Sequence, residues 1–224
     1  MKTGAVSYAF RVMMQRILGF LLFYLGAPLA LSWHVWVYFG ISFAAALLSL
    51  GIMVRVNPET LRERGKVATD SPVWDKWLLG MYWLLHFFVI HFVAGLEWQG
   101  TVSNPLLYWL GMLFVVLSIG LALAALVVNT YLESTARIQA DRKQKVVTTG
   151  VYRLVRHPTY LAVLLSALGI ALVFATPYVA CIAALIGVII VIRTSLEDQM
   201  LHKGLAGYGD YAKEVRYRLI PGLW

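Results

Sequence analysis

Polar chemistry is concentrated in two stretches of an otherwise apolar chain, residues 139–160 and 193–217. The first carries Gln139 and continues Gln144-Lys145-Val146-Val147-Thr148-Thr149-Gly150-Val151-Tyr152-Arg153-Leu154-Val155-Arg156-His157-Pro158-Thr159-Tyr160. Gly150 can turn the chain and Pro158 suits the first turn of a helix, so His157 is expected at a helix N-terminal edge with Tyr160 one turn on. Arg153, Arg156 and His157 form either an interfacial basic collar or part of a ligand site. The second stretch opens Arg193-Thr194-Ser195-Leu196-Glu197-Asp198, in which Arg193 and Glu197 are four apart and share a helix face. A plain intrahelical ion pair, or Arg193 reaching to the headgroups, would account for them. Ionisable groups at the end of an apolar span are nevertheless costly unless paired, and two such clusters on adjacent helices are candidates for a site. His86 and His91 are five apart, point to different helix faces and read as neutral packing residues rather than metal ligands. Tyr8, Met13 and Met14 receive no functional reading.

The elements that must position these residues are membrane helices. Of 224 residues, 60% are hydrophobic and 13% charged, and the mean hydropathy is +0.74, far from the mix of a water-soluble domain. A hydrocarbon core ~30 Å thick takes roughly 20 apolar residues per crossing, which yields about six crossings and one compact unit. Spans are predicted near 15–31, 34–54, 77–96, 105–128, 159–175 and 178–194, with Pro28 and the residues after it turning the chain between the first two. The reading is an all-α integral membrane protein, a single domain over 1–224. Within it, 1–128 forms a four-span scaffold and 129–224 a C-terminal region with a pocket at the cytoplasmic face. Lys2, Arg11 and Arg16 precede the run from Ile17 as in a secretory signal. That run continues almost to Val54, and Pro28 stands two positions before the candidate cleavage site at Ala30, so a retained first span is expected.

Six spans put both termini and the loops after spans two and four on one side, and all 19 Lys and Arg residues fall there. The opposite turns, around Ser32, Gly100 and Pro177, contain none, so both termini are expected to be cytoplasmic. The net charge of +8 then reflects basic loops beside anionic lipid, and no nucleic-acid partner is expected. Cys181 lies in an apolar run, where cysteine behaves as a small hydrophobe. No internal repeat is visible, which weighs against a repeat-built transporter.

Gly150-Val151-Tyr152, Arg156-His157-Pro158-Thr159-Tyr160, Arg193 with Glu197-Asp198, Gly207-Tyr208 to Tyr211, and Pro221 together resemble the isoprenylcysteine carboxyl methyltransferase and phospholipid methyltransferase superfamily. The resemblance covers about the last ~95 residues in order and spacing. Pro58-Glu59 and Trp74-Asp75-Lys76 resemble bacterial members more loosely.

The resemblance implies a pocket for S-adenosyl-L-methionine at the cytoplasmic membrane face. By it, Lys145, Val146 and Val147 look like a backbone strip beside the cofactor and Tyr152 like an aromatic wall. His157, Pro158, Thr159 and Tyr160 look like the segment at its amino-acid part, Glu197 like the anchoring carboxylate, and Gln139 like a family glutamine. Arg193 looks like the substrate-side, catalytic arginine, suited to an acidic group. Asp198 stands where the family commonly has a second Glu. The implied activity is methylation of a lipophilic or small acceptor entering from membrane lipid in a bacterial inner membrane. Isoprenylcysteine carboxylate, phospholipid amine and a small thiol or acid are all compatible, and Arg193 favours a carboxylate. The alternatives are a sterol-reductase-like enzyme using a reduced nicotinamide cofactor and a small transporter, which would want ionisable groups at mid-membrane. The acceptor and the oligomeric state stay open.

Overall fold

Pro and Asn punctuate the chain and set where its helices begin. In the computed structural model, which describes residues 3–27, 31–66 and 70–224, Asn104 caps helix α6 (Pro105–Val128) by accepting from the Leu106 and Leu107 amides at 2.9 and 3.3 Å. Pro105 fills the first helical position, where a missing N–H costs nothing. Asn57 and Pro58 start the short α3 (Pro58–Arg64) in the same way. Helix α7 (Pro158–Phe174) opens on Pro158 and closes at Ala175, which takes the left-handed conformation at φ 50° before Pro177 begins α8 (Pro177–Gly204). Glu97 caps α8 from across the bundle, accepting from Thr176 Oγ1 at 2.6 Å and the Val179 amide at 3.2 Å.

The remaining elements are α1 (Thr3–Gly26), α2 (Trp33–Val56), α4 (Val73–Trp83), α5 (Ile90–Leu96) and α9 (Tyr208–Glu214). A π-helical segment, Leu84–Val89, joins α4 to α5 into one continuous span, Val73–Leu96. The fold is all-α, with no strand among the described residues. Among the described residues five helices are long and apolar enough to cross a membrane: Gly4–Gly26, Trp33–Val56, Val73–Leu96, Pro105–Val128 and Pro177–Gly204. The sixth, α7, has 17 residues, about 26 Å at ~1.5 Å per residue, short of a ~30 Å hydrocarbon core.

Glycines let the helices close on one another. A Cβ on Gly111 would stand 2.6 Å from the Gly169 carbonyl oxygen, and one on Gly169 would stand 2.8 Å from that of Gly111, so α6 and α7 touch backbone to backbone. Gly26 and Gly95 do the same for α1 and α5. Small residues at helix crossings replace the hydrophobic drive that lipid cannot supply.

Four boundaries differ from the sequence reading by more than two residues. Helix α1 starts at Thr3 rather than near 15 and ends at Gly26 rather than near 31, so Arg11 as well as Arg16 lies within it. The third span begins four residues early at Val73, and α8 runs ten residues past 194. Fourth-span bounds agree with 105–128. The expected turn at Pro28 and the site at Ala30 lie outside the described residues.

Candidate active site at the polar end of the bundle

One end of the bundle gathers the α1 N-terminal half, α3, the end of α4, the 129–157 loop, the end of α8 and α9 around a cavity of about 350 Å³. All ten residues expected to hold a cofactor line it: Gln139, Lys145, Val146, Val147, Tyr152, His157, Pro158, Thr159, Tyr160 and Glu197; Arg193 lines it too. The 144–148 strip is neither helix nor strand, and Val146 and Val147 make no backbone–backbone hydrogen bond among the described residues. Their amide and carbonyl groups are therefore available to a ligand.

Tyr160 organises the C-terminal wall. Its hydroxyl donates to Glu197, its ring stacks on His157 with centroids 5.7 Å apart, and the Arg193 guanidinium lies over its face at 5.2 Å. Arg193 does not pair with Glu197. It is 3% exposed and bonds Asp75 of α4 through Nε at 2.8 Å and Nη2 at 2.6 Å, and Nη2 also donates to the Ser134 carbonyl at 2.8 Å. Asp75 is fully buried and accepts the Ala136 amide at 2.9 Å with its other oxygen. The anionic partner that a buried arginine requires is thus a residue of the chain itself. Asp75 appeared in the sequence only within Trp74-Asp75-Lys76; a lone carboxylate beginning an apolar span was the signal for it.

Behind that wall, Asp198 points away from the cavity. It takes the Arg156 fork through Oδ1 at 2.9 Å and Oδ2 at 3.0 Å, His157 Nε2 at 3.1 Å, the Tyr208 hydroxyl at 2.8 Å and Arg218 Nε at 2.8 Å. Arg156 also donates to the Val215 and Arg216 carbonyls, both at 2.8 Å, and Tyr211 donates to the Tyr152 carbonyl at 2.7 Å. Burial works against the Arg156 charge, but the Asp198 carboxylate outweighs it and holds the guanidinium pKa above its ordinary value. Burial likewise pushes the Tyr152 and Tyr211 phenols well up, which keeps them neutral donors. Arg156 and His157 are buried members of this clamp and not an exposed collar; Arg153 alone of that trio is exposed. Adjacent helix positions diverge by about 100°, so Glu197 serves the cavity and Asp198 the clamp.

The N-terminal half also enters the cavity. Tyr8, Arg11, Val12, Gln15 and Arg16 line it from α1, and Tyr82 and Arg64 from α4 and α3. Positions 8, 11, 12, 15 and 16 follow helical spacing, a pattern present in the sequence but hidden once the helix was started near 15. His86 and His91 pack apart from the cavity, His86 Nε2 3.3 Å from Ser166 Oγ and His91 Nε2 2.9 Å from the Tyr38 hydroxyl. Among the described residues no cluster of three or more His, Cys, Asp or Glu could hold a metal ion.

Two comparisons bear on this arrangement. Over 123 residues the chain is 34% identical to the cobalt-zinc-cadmium resistance protein CzcN of Cupriavidus metallidurans, a match covering 53% of this chain and 51% of that protein. The chain therefore spans about half the length of that curated relative. The second match reaches from the start of α6 to the turn before α9, taking in the loop, α7 and α8 that build the C-terminal wall. Over residues 106–207 the chain matches the phospholipid methyltransferase family, part of the isoprenylcysteine carboxyl methyltransferase superfamily.

Proposed function

We propose that this chain is a membrane-embedded methyltransferase that uses S-adenosyl-L-methionine and acts on an acceptor reaching the cavity from lipid. The observation that carries the reading is a cavity whose wall collects every residue expected to hold the cofactor, within the segment that matches the family. The donor set fits that ligand. Glu197 offers a carboxylate to its amino or hydroxyl groups, the 145–147 backbone offers unpaired amides and carbonyls, and Tyr152 offers an aromatic wall beside a cationic sulfonium. When bound, S-adenosyl-L-methionine supplies an electrophilic methyl group, for which in-line positioning and exclusion of water matter more than a protein nucleophile. Tyr160 orients Glu197, Asp75 fixes Arg193 at the boundary between the cofactor wall and the α1 face, and the Asp198 clamp holds the loop closed behind them.

Isoprenylcysteine-like carboxylate, phospholipid amine and a small thiol or acid remain the acceptor classes. Arg193, with Asp75 beside it, favours a carboxylate less than a free guanidinium would. On this reading the whole chain acts as one membrane unit with both termini cytoplasmic, in a bacterial inner membrane.

The test is calorimetric binding to the purified protein in detergent, with S-adenosylhomocysteine beside reduced nicotinamide cofactors. S-adenosylhomocysteine binding without nicotinamide binding is expected, and the reverse would replace this reading with the reductase. A topology reporter at the C-terminus should be active on the cytoplasmic side, and activity only on the outer face would overturn the orientation.

A further inference from the structure

Arg16 stands more than halfway along α1, about 20 Å from its start at ~1.5 Å per residue, in a helix of membrane-crossing length. It faces the cavity, not lipid. Arg11 and Arg64 face the same space from α1 and α3. Among the described residues none of the three has a carboxylate within ion-pair distance. Arg11 donates to the Arg64 carbonyl and lies over Tyr8 and Trp83. Arg64 donates to the Leu132 and Glu133 carbonyls and lies over Tyr8. Arg16 lies over Phe87, and the Nε atoms of Arg16 and Arg64 are buried without a hydrogen-bond partner. Three guanidinium groups lining one cavity, two of them on a helix of membrane-crossing length, are costly without an anion. The two buried arginines among the described residues, Arg156 and Arg193, each have an aspartate, whereas Arg11, Arg16 and Arg64 are half-buried.

The wall beside them is apolar. Ala46, Leu50 and Met53 of α2 face Ile119, Leu123 and Leu126 of α6 across the same cavity. Both sets recur at helical spacing, so the cavity offers a strip for a hydrocarbon chain beside a concentrated positive charge. Tyr82, Arg16, Arg64 and Arg193 all line the one cavity, which makes this part continuous with the C-terminal wall.

We propose that Arg11, Arg16 and Arg64 form an anion-binding subsite, and that the acceptor is an amphiphile whose phosphate or carboxylate group sits among them while its apolar chain lies along α2 and α6. The inference deepens the methyl-transfer reading, because its occupant is the methyl acceptor; the subsite itself is testable without turnover. The phosphate or carboxylate of a lipid and a free anion share this chemistry, and the probes separate them.

The experiment measures binding of dodecyl phosphate, inorganic phosphate and dodecyltrimethylammonium to the full chain in a neutral maltoside detergent. S-adenosylhomocysteine affinity and thermal unfolding are read on each variant as controls. Wild type should bind dodecyl phosphate and not the cationic amphiphile, with Arg16→Gln weakening it about tenfold or more and Arg16→Lys by less, as expected for charge-assisted bonds to a forked donor. S-adenosylhomocysteine affinity should stay within about threefold in both variants, since among the described residues Arg16 makes no hydrogen bond or ion pair with the cofactor wall. Arg11→Gln gives a second, independent loss should Arg16→Gln unfold. Dodecyl phosphate affinity unchanged in both Gln variants would overturn the subsite. Equal binding of inorganic and dodecyl phosphate would overturn the amphiphile and leave a free anion as ligand. Failure of wild type to bind S-adenosylhomocysteine, with dodecyl phosphate binding intact and lost in Arg16→Gln, would remove the methyl-transfer reading while retaining the subsite.

Discussion

The two ends of the chain bring arginines to the same cavity and treat them in opposite ways. In the C-terminal region Arg156 is buried against Asp198 with bidentate geometry, and its remaining donors go to backbone carbonyls. Arg193 has Asp75 and the Ser134 carbonyl. On α1, Arg11 and Arg16 rest on aromatic rings and have no carboxylate among the described residues. A buried ion pair with all its hydrogen bonds made is a fastener: each member is expensive to remove because the other is left charged and dry. Charges on a cavity wall that lack a carboxylate contribute less to the fold than a closed ion pair does, and such groups are candidates for a ligand. The difference separates architecture from recognition more sharply than residue type does, since arginine serves both.

The largest effect is expected where the fastening is densest. Asp198→Asn leaves Arg156 and Arg218 facing a neutral group, and loss of one partner of a buried pair costs about 3–5 kcal/mol. The thermal midpoint in detergent should fall steeply and S-adenosylhomocysteine binding should go with it; a variant that keeps both would show that the clamp is ornamental. Glu197→Gln, one residue away but turned to the cavity, should spare the midpoint and weaken S-adenosylhomocysteine by about tenfold to a hundredfold, since a charge-assisted hydrogen bond contributes ~1.5–3 kcal/mol. Calorimetry on the two variants side by side decides whether neighbouring carboxylates divide the labour in this way. Arg16→Met removes a charge that has no carboxylate partner among the described residues, so its midpoint should hold or rise, by about 1 kcal/mol of stability at the low end of such replacements. Measured against Arg156→Met, which should fall, a drop of similar size in both would erase the contrast between the two regions. The smallest effect is expected at Arg218, whose side chain is 33% exposed where it meets Asp198. Arg218→Gln should lower stability by under about 1 kcal/mol, because water takes over part of its role.

How much was legible follows from what is local. The boundaries of α6 and α7 were readable to within a residue because Asn104-Pro105 and His157-Pro158 are start signals that act through their own backbone. The start of α1 was not readable, because Arg11 and Arg16 lower the apolarity of a stretch whose charges are tolerated only by facing a cavity that other helices complete. The π-helical turn at Leu84–Val89 left no mark in the periodicity, since an apolar span has no polar face to show the slip.

The sequence by itself determined that this is an all-α membrane protein, that its polar residues gather in two C-terminal stretches, and that these carry the pattern of a methyltransferase superfamily. Hydropathy, helix punctuation and motif spacing are properties of consecutive residues, and they survive without knowledge of packing. Only the tertiary structure decided which charges meet. Arg193 could have paired with Glu197 four residues on, and instead meets Asp75 from another span; Asp198 reaches back to Arg156 and forward to Arg218. Helices that are apolar all round do not announce the face they bury, so the partner of a buried charge is set by which neighbour packs against it. For the same reason the α1 arginines became visible as part of a site only once α2, α3, α4 and α6 stood around them.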